Sequence, residues 1–211
     1  MYSRKHYLEV LENARESLKG ENLVERASAC GFGERKKPGG GHTFIFDSLG
    51  SKYELDAEAF EIKNLRGGVM PLIMRGVALH HLLHARRAPI TGDFIPLREL
   101  PGLEPYSPVI TRRIIAPLDL AFGDAPSLLD SAAAALGGAS RVNPSGAAAV
   151  LFPFPMLPVF ISVSAQTCGV PSSATVLFDA SAPLFLPLED IVVLAELTAR
   201  KIALRSRDEI R

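Results

Sequence analysis

Three histidines in one apolar segment are the first candidates for chemistry, and they are His80, His81 and His84. At about 100° per residue on a helix, His80 and His84 share a face with Ile73 and Val77. Histidines four residues apart can share one metal ion or flank a flat cofactor. No Glu follows the first histidine, as a metalloprotease motif would require, and no third ligand is near in sequence. The favoured interpretation is structural. His80 is expected to be largely buried and to form a hydrogen bond with the backbone, while His81 and a partly buried His84 lie at the helix flank.

Asp179 is the one ionisable side chain, cysteines aside, between residues 141 and 189. Burying a carboxylate is costly unless hydrogen bonds or a cation satisfy it. An Asx-type turn would place its oxygens on the amides of Ser181 and Ala182. Alternatively it is a general base, a ligand or the counter-ion of an arginine such as Arg98. The turn is favoured, and either set of partners should lower the pKa of Asp179.

Arg98 and Glu99 lie together in a loop bounded by proline and glycine. A guanidinium there could bind an anionic ligand or form a bidentate pair with Asp179. An exposed ion pair on a surface turn is the favoured interpretation. Glu189 and Asp190 begin the last predicted helix, where carboxylates complement the helix dipole, so capping is favoured over a catalytic pair.

The two cysteines, Cys30 and Cys168, are too few for a disulfide scaffold or for the roughly four ligands of an iron–sulfur cluster. We therefore predict no iron–sulfur cluster within this chain. Cys168 has no His or Lys neighbour in sequence, which argues against a reactive thiolate. The Gly39–Gly41 run beside Arg35–Lys37 lacks the Gly-Lys-Ser/Thr ending of a phosphate-binding loop, and it is predicted to be a flexible connection.

The composition is that of an ordinary globular protein. Of 211 residues, 47% are apolar and 22% charged, and 23 basic side chains balance 23 acidic ones. A neutral chain lacks the basic field that nucleic acid or an anionic membrane would attract. The apolar run at Gly146–Ile161 is shorter than the ~20 residues of a spanning helix and is interrupted by proline. The N-terminus resembles no targeting segment. We expect a cytoplasmic protein without a nucleic-acid or membrane partner.

Periodicity and turn signals predict the elements that must position these residues. Helices are expected at about 5–18, 21–30, 69–87, 106–122, 126–136 and 187–204, and strands at about 42–46, 52–55, 59–63, 93–97, 159–163 and 175–178. Asp47–Gly50 is a hairpin connection and Gly33–Gly41 a loop. Because helices and strands do not alternate regularly, the prediction is an α+β fold. We expect one domain over 1–211, with helices in 1–32 and the others packed on a small, mostly antiparallel sheet.

Several short motifs occur in an order and spacing typical of one family, and they are Leu79-His80, Pro89–Gly92, Arg98–Gly102, Tyr106, Leu136–Gly138, Leu177–Asp179 and Leu186–Asp190. Over about residues 22–205 the chain resembles the domain of unknown function 3786 family, found mainly in anaerobic bacteria and archaea. The resemblance implies a similar size and no established reaction. It also implies a possible link to anaerobic redox or corrinoid metabolism, because some members look like partners or fusions of iron–sulfur domains. Residues 164–169 occupy the position of a family loop that is acidic and contains a Trp. In this chain they include neither an acidic residue nor a Trp.

Two functions follow as hypotheses. The favoured one is a non-enzymatic accessory protein that binds a cofactor or small molecule, or docks a redox or iron–sulfur partner. The alternative is an enzyme acting on a small anionic substrate, with Asp179 or His80 as general base and Arg98 orienting the substrate. Its site would comprise His80, Arg98, Tyr106 and Asp179. The ligand-binding candidates are Arg98, Glu99, Tyr106 and Asp179. The enzyme requires its four residues to line one pocket.

Overall fold

The computed structural model describes residues 4–37 and 40–208, without the side chains of 207 and 208, and confirms the α+β class. The α-helices in it are α1 (Arg4–Leu18), α2 (Leu23–Ala29), α3 (Leu72–His84), α4 (Ser107–Ile110), α5 (Ala116–Phe122), α6 (Leu128–Ala135) and α7 (Leu188–Asp208). Short 3₁₀ turns lie at 97–99, 104–106 and 182–184. Within the described residues, no helix combines the length and apolar character needed to cross a bilayer.

The first sheet has four antiparallel strands in the order β1-β2-β3-β4. They are β1 (Gly33–Lys36), β2 (His42–Ser48), β3 (Ser51–Asp56) and β4 (Ile62–Asn64). The predicted hairpin connection is confirmed, because Ser48 pairs with Ser51 around Leu49 and Gly50. Both turn residues have positive φ, 45° and 75°, as a type I′ turn requires. A Cβ on Gly50 would lie 2.8 Å from the Ala135 carbonyl oxygen, so the turn packs closely against the end of α6.

The second sheet has five antiparallel strands in the order β5-β9-β8-β7-β6. They are β5 (Phe94–Pro96), β6 (Ala139–Arg141), β7 (Gly146–Phe154), β8 (Leu157–Ser164) and β9 (Ser173–Asp179). Strand β5 pairs only with the last three residues of β9, and its pairing ends where Pro96 lies opposite Leu177. Within the part of the chain that the structure describes, residues 173–176 of β9 consequently have no strand partner on that edge.

Aromatic rings connect the two sheets to α3. Phe32 stacks on Phe46 of the first sheet at 4.3 Å between ring centroids, and Phe46 lies 5.9 Å from Phe154 of the second. His81 of α3 lies 5.4 Å from Phe154 and 6.2 Å from Phe185. One continuous hydrophobic core therefore contains both sheets and the buried faces of α3 and α7.

A π turn at Thr111–Ile115 joins α4 to α5. The sequence predicts one helix over 106–122, and the backbone remains helical from 107 to 122 around this insertion. A π turn rotates the residues that follow it relative to an uninterrupted helix, and such turns are frequent at functional sites. Residues of this turn contribute to two different cavities, described below.

Several boundaries differ from the prediction. Residues 33–36 of the predicted loop form β1, because they pair with β2, while residues 38 and 39 lie outside the described residues. The strand predicted at 59–63 is found at 62–64, since Phe60 adopts a positive φ of 50° and turns the chain before it. The prediction of one sheet is wrong, because β1–β4 and β5–β9 form separate sheets. Helix α3 is shorter than 69–87 and begins after Pro71.

Candidate functional site

A cleft runs along α7, bordered by α1, α3 and the segment that contains α4 and the π turn. It consists of two adjoining cavities of about 270 Å³ and about 480 Å³. The cavities share four lining residues, which are Tyr7, Ile73, Glu189 and Val193. Together they reach the size of an ordinary small-molecule site. We call this feature the α7 cleft.

The smaller cavity contains a hydrogen-bonded histidine–carboxylate pair. Nδ1 of His80, on α3, lies 2.6 Å from Oδ2 of Asp190, on the first turn of α7. Both side chains are partly buried, with 23% and 16% of their surfaces exposed. An ionised carboxylate at Nδ1 favours the tautomer with the proton on that nitrogen, which leaves Nε2 with a lone pair. Such an imidazole can accept a hydrogen bond or a proton from a bound molecule.

Where the two cavities meet, Tyr106 and Glu189 connect the helices across the cleft. The Tyr106 hydroxyl donates to Oε1 of Glu189 at 3.3 Å. Glu189 is exposed, and its carboxylate lies next in sequence to Asp190. Glu189 and Asp190, the second of which is paired with His80, both line the smaller cavity and make that end of the cleft acidic.

The larger cavity ends in a group of opposite character. Nη1 of Arg113, in the π turn, and Nη1 of Arg200, on α7, each lie 3.5 Å from a carboxylate oxygen of Glu196. Two guanidinium groups around one carboxylate leave a local excess of positive charge. The α7 cleft is therefore acidic at one end and basic at the other.

The spacing of residues along α7 explains this arrangement. Glu189, Val193, Glu196 and Arg200 follow at i, i+4, i+7 and i+11, which places them on one face of a helix. Val193, Leu197 and Ile73 of α3 line the cleft between its charged ends. An apolar body with polar groups at its ends is the kind of ligand that such a surface fits.

The predicted burial is wrong for His81 and His84, whereas His80 is largely buried as predicted, with 23% of its side chain exposed. His81 is the fully buried one, with Nδ1 3.1 Å from the Phe185 carbonyl oxygen. For His80 the predicted backbone hydrogen bond is wrong, because its partner is the Asp190 carboxylate. His84 is exposed, and its ring meets that of His80 edge-on at 5.9 Å. The physical reason is that α3 packs against neighbours on both sides, which buries the face that carries His81.

Burial lowers the pKa of His81 to about 4, although the carbonyl groups of Phe185 and Cys30 act in the opposite direction. The ring is therefore neutral at neutral pH, with one proton to donate to Phe185 from Nδ1. Its Nε2 is buried and has no partner of normal hydrogen-bond geometry among the described residues. Burial also lowers the pKa of His84, and the neighbouring His80 lowers it further.

Asp179 is buried and satisfied by a ring of donors. Its Oδ1 accepts hydrogen bonds from the Ser181 amide at 2.9 Å and from the Ser181 hydroxyl at 2.5 Å. The same oxygen accepts from the Thr91 amide at 3.1 Å and from the Thr91 hydroxyl at 2.9 Å. Its Oδ2 accepts from the Gly92 amide at 2.7 Å. Burial alone would raise the pKa of Asp179, but these hydrogen bonds outweigh it and the pKa is lowered. The predicted turn on Ser181 and the direction of the pKa shift are confirmed.

The structure does not assemble the four-residue enzyme site. His80 and Tyr106 lie in the α7 cleft, but Arg98 lines a separate cavity on the far side of the π turn. Asp179 is 1% exposed and its oxygens are occupied, so it cannot act as a base on a substrate there. The bidentate clamp between Arg98 and Asp179 is likewise not formed. Arg98 and Glu99 are an exposed pair, 3.9 Å apart and 72% and 60% exposed, as predicted.

Metal and thiol chemistry have little support within the described residues. No three side chains of the His, Cys, Asp and Glu types are grouped so that they could hold a metal ion, so His80 and His84 lack a third ligand there.

The Cys30 thiol is buried, donates to the His81 carbonyl oxygen at 3.4 Å and has a raised pKa because of its burial. Cys168 is exposed.

Sequence reasoning missed the roles of Asp190, Arg113 and Glu196. Asp190 and Glu189 lie in the first turn of α7, where carboxylates need no other explanation than the helix dipole. A signal for Glu196 and Arg200 exists in their periodicity with Glu189 on one helix face. Arg113 carries no such signal, because the π turn alters which residues of its helix share a face.

Comparison with known proteins gives one result that covers most of the chain. The model of a family described as "Domain of unknown function (DUF3786)" matches residues 13–201. The match begins within α1, earlier than the predicted residue 22, and extends into α7. Comparisons with curated proteins and with solved structures found no match.

Proposed function

The chain belongs to the DUF3786 family, and from that premise we propose that it is a non-enzymatic binding module. Its ligand is a small organic molecule or cofactor that lies in the α7 cleft, with an apolar body and polar groups at its ends. The observation that carries the proposal is the pair of adjoining cavities with an apolar floor and oppositely charged ends.

The charged groups define how such a ligand would be oriented. Asp190 and Glu196 are six residues apart on α7, which corresponds to about 9 Å along the helix axis. A hydrogen-bond donor or cation on the ligand suits Glu189 and His80. An anionic group suits Arg113 and Arg200, whose guanidinium groups have donors beyond those that face Glu196.

The experiment combines native mass spectrometry of freshly purified protein with a fluorescent probe. Mass spectrometry should detect a bound molecule, and 1-anilinonaphthalene-8-sulfonate, which has apolar rings and one anionic group, should bind saturably with a stoichiometry of one. Val193→Trp fills the cleft where its two cavities meet. This variant should weaken probe binding by about tenfold or more, because the probe and the indole compete for the same volume.

Val142→Trp is the matched control, since Val142 is 94% exposed and lies outside the cleft. It should bind the probe as the parent protein does. Thermal unfolding of both variants verifies that each is folded. Equal probe affinity of Val193→Trp and the parent would place binding elsewhere and contradict the proposal.

The His80–Asp190 pair favours a second candidate function, an enzyme that moves a proton on a small substrate. Nε2 of His80, in the tautomer set by Asp190, would be the general base. Arg113 and Arg200 would orient an anionic substrate, which is the role that the sequence analysis assigned to Arg98. The test is to incubate the protein in D₂O with the bound molecule that mass spectrometry identifies. Deuterium uptake that is lost in His80→Gln, with binding retained, would support the enzyme against the binding module.

A further inference from the structure

A cavity of about 320 Å³ lies on the other side of the π turn from the α7 cleft. It exists because β5 ends at Pro96, where the chain turns into the 3₁₀ segment 97–99 and leaves the edge of β9 unpaired over 173–176. The carboxylate of Asp119 on α5 lies near the Ala174 amide and closes part of that edge. The remaining space is bordered by β9, the 3₁₀ segment and the helix over 107–115.

Four hydroxyl groups line this cavity, one from α4, one from the π turn and two from β9. Ser107 and Thr111 are four residues apart on one helix face, and Ser173 and Thr175 are two residues apart on one face of β9. None of these side chains has a hydrogen-bond partner of its own among the described residues. A set of donors without internal partners around one cavity is suited to a ligand with several acceptor oxygens.

Arg98 adds the one charged side chain among the residues that line the cavity. Its partner Glu99 is 3.9 Å away, and both side chains are mostly exposed, so their attraction is weak and screened by solvent. The guanidinium fork is therefore available for a bidentate contact with an oxyanion.

We propose that this cavity binds the phosphate group of a small phosphorylated molecule. A carboxylate has two oxygens and would leave several of these donors unused, whereas a phosphate group offers three oxygens and nearly two negative charges at neutral pH. Pro96, Ile110 and Val176 also line the cavity and provide an apolar surface for the rest of the molecule. This site is independent of the function proposed for the α7 cleft.

The test is a titration of ¹⁵N-labelled protein with phenyl phosphate and, in parallel, with inorganic phosphate, followed by NMR. Phenyl phosphate should bind saturably and shift the amide signals of residues 98, 107, 111 and 173–176. It should bind about tenfold more tightly than inorganic phosphate, because only phenyl phosphate contacts the apolar surface.

Arg98→Gln should weaken phenyl phosphate binding by about tenfold or more, since a charged hydrogen-bonding partner is lost. Arg98→Lys should also weaken it, because an ammonium group cannot make the bidentate contact. Arg66→Gln is the matched control, an exposed arginine in a turn outside the cavity, and should bind like the parent.

Four outcomes would overturn the assignment, and the first three concern where and whether the anion binds. The first is an absence of saturable binding, and the second is unchanged affinity in Arg98→Gln. The third is loss of binding in Arg113→Gln with Arg98→Gln unaffected, which would place the anion in the α7 cleft and leave the proposed function standing. Equal affinities for phenyl phosphate and inorganic phosphate would likewise reject a phosphorylated organic ligand.

Discussion

His80 and Asp190 are 110 positions apart in the sequence and 2.6 Å apart in the fold, between Nδ1 and Oδ2. The contact joins the C-terminal half of α3 to the first turn of α7 at the edge of the α7 cleft. It gives the imidazole a defined tautomer and orientation, and it gives the carboxylate a partner in a site where only a sixth of its surface is exposed. The acidic end of the cleft is thus built from a pair of residues and not from isolated charges.

This pair should be energetically coupled. In a double-mutant cycle with His80→Ala and Asp190→Ala, the interaction free energy should be about 0.5–2 kcal/mol, as for partly buried residues in direct contact. Urea unfolding of the parent, both single variants and the double variant measures it. A control cycle combines His80→Ala with Asp47→Ala, at an exposed position of β2. Its interaction free energy should be less than about 0.5 kcal/mol. Additive effects of His80→Ala and Asp190→Ala would show that the contact contributes nothing to stability.

Asp179→Ala should destabilise the fold by about 3 kcal/mol or more, because buried donors of Ser181, Thr91 and Gly92 lose their acceptor together. Asp179→Asn should cost less, about 1–2 kcal/mol, since its oxygen can keep the contacts of Oδ1 while its amide group faces the Gly92 N–H. Denaturant unfolding at neutral pH separates the two. Because the folded pKa is lowered, this stabilisation is complete above the unfolded pKa and is lost as the pH falls through the folded pKa. An Asp179→Ala protein as stable as the parent would refute the structural role.

His81 should make the protein sensitive to mild acid. Its folded pKa of about 4 lies below the ordinary value of 6.5, so the unfolded chain binds the proton more readily. Its contribution to the free energy of unfolding is complete above about pH 6.5 and falls by about 3 kcal/mol as the pH approaches 4.

Urea unfolding at several pH values between 4 and 7 measures this dependence. His81→Phe removes the titrating group and should flatten the slope, although it also costs stability at pH 7 through the lost hydrogen bond to Phe185. His84→Gln, at an exposed position on the same helix, should keep most of the slope. Identical slopes for the parent and His81→Phe would mean that His81 does not titrate in this window.

The two cysteines should differ in reactivity. Cys168 is exposed, whereas the Cys30 thiol is buried with a raised pKa. A thiol reagent such as 5,5′-dithiobis(2-nitrobenzoate) should titrate one thiol in the folded protein and two after unfolding. Cys168→Ser should abolish the fast reaction, and Cys30→Ser should leave it unchanged. Rapid modification of two thiols without denaturant would contradict the buried environment of Cys30.

The sequence alone determined the features that depend on neighbouring residues. The turn at Leu49 and Gly50, the helices around residues 72–84 and 188–208, and the satisfied burial of Asp179 all follow from local signals. These are turn residues, apolar periodicity, and the cost of burying a charge beside residues that can donate hydrogen bonds. The α+β class follows from the same signals, because the order of helices and strands excludes regular alternation.

Tertiary structure alone decided which faces and partners these elements have. Helix α3 is apolar around most of its circumference, so periodicity cannot tell whether His80 or His81 faces the core. The packing of Phe32, Phe154 and Phe185 decides it. Strand β1 is exposed along its whole length and has no pattern to predict it, since it forms only by hydrogen bonding to β2. The His80–Asp190 pair joins segments distant in sequence, and such a contact depends on the packing of α3 against α7 and not on local residue spacing.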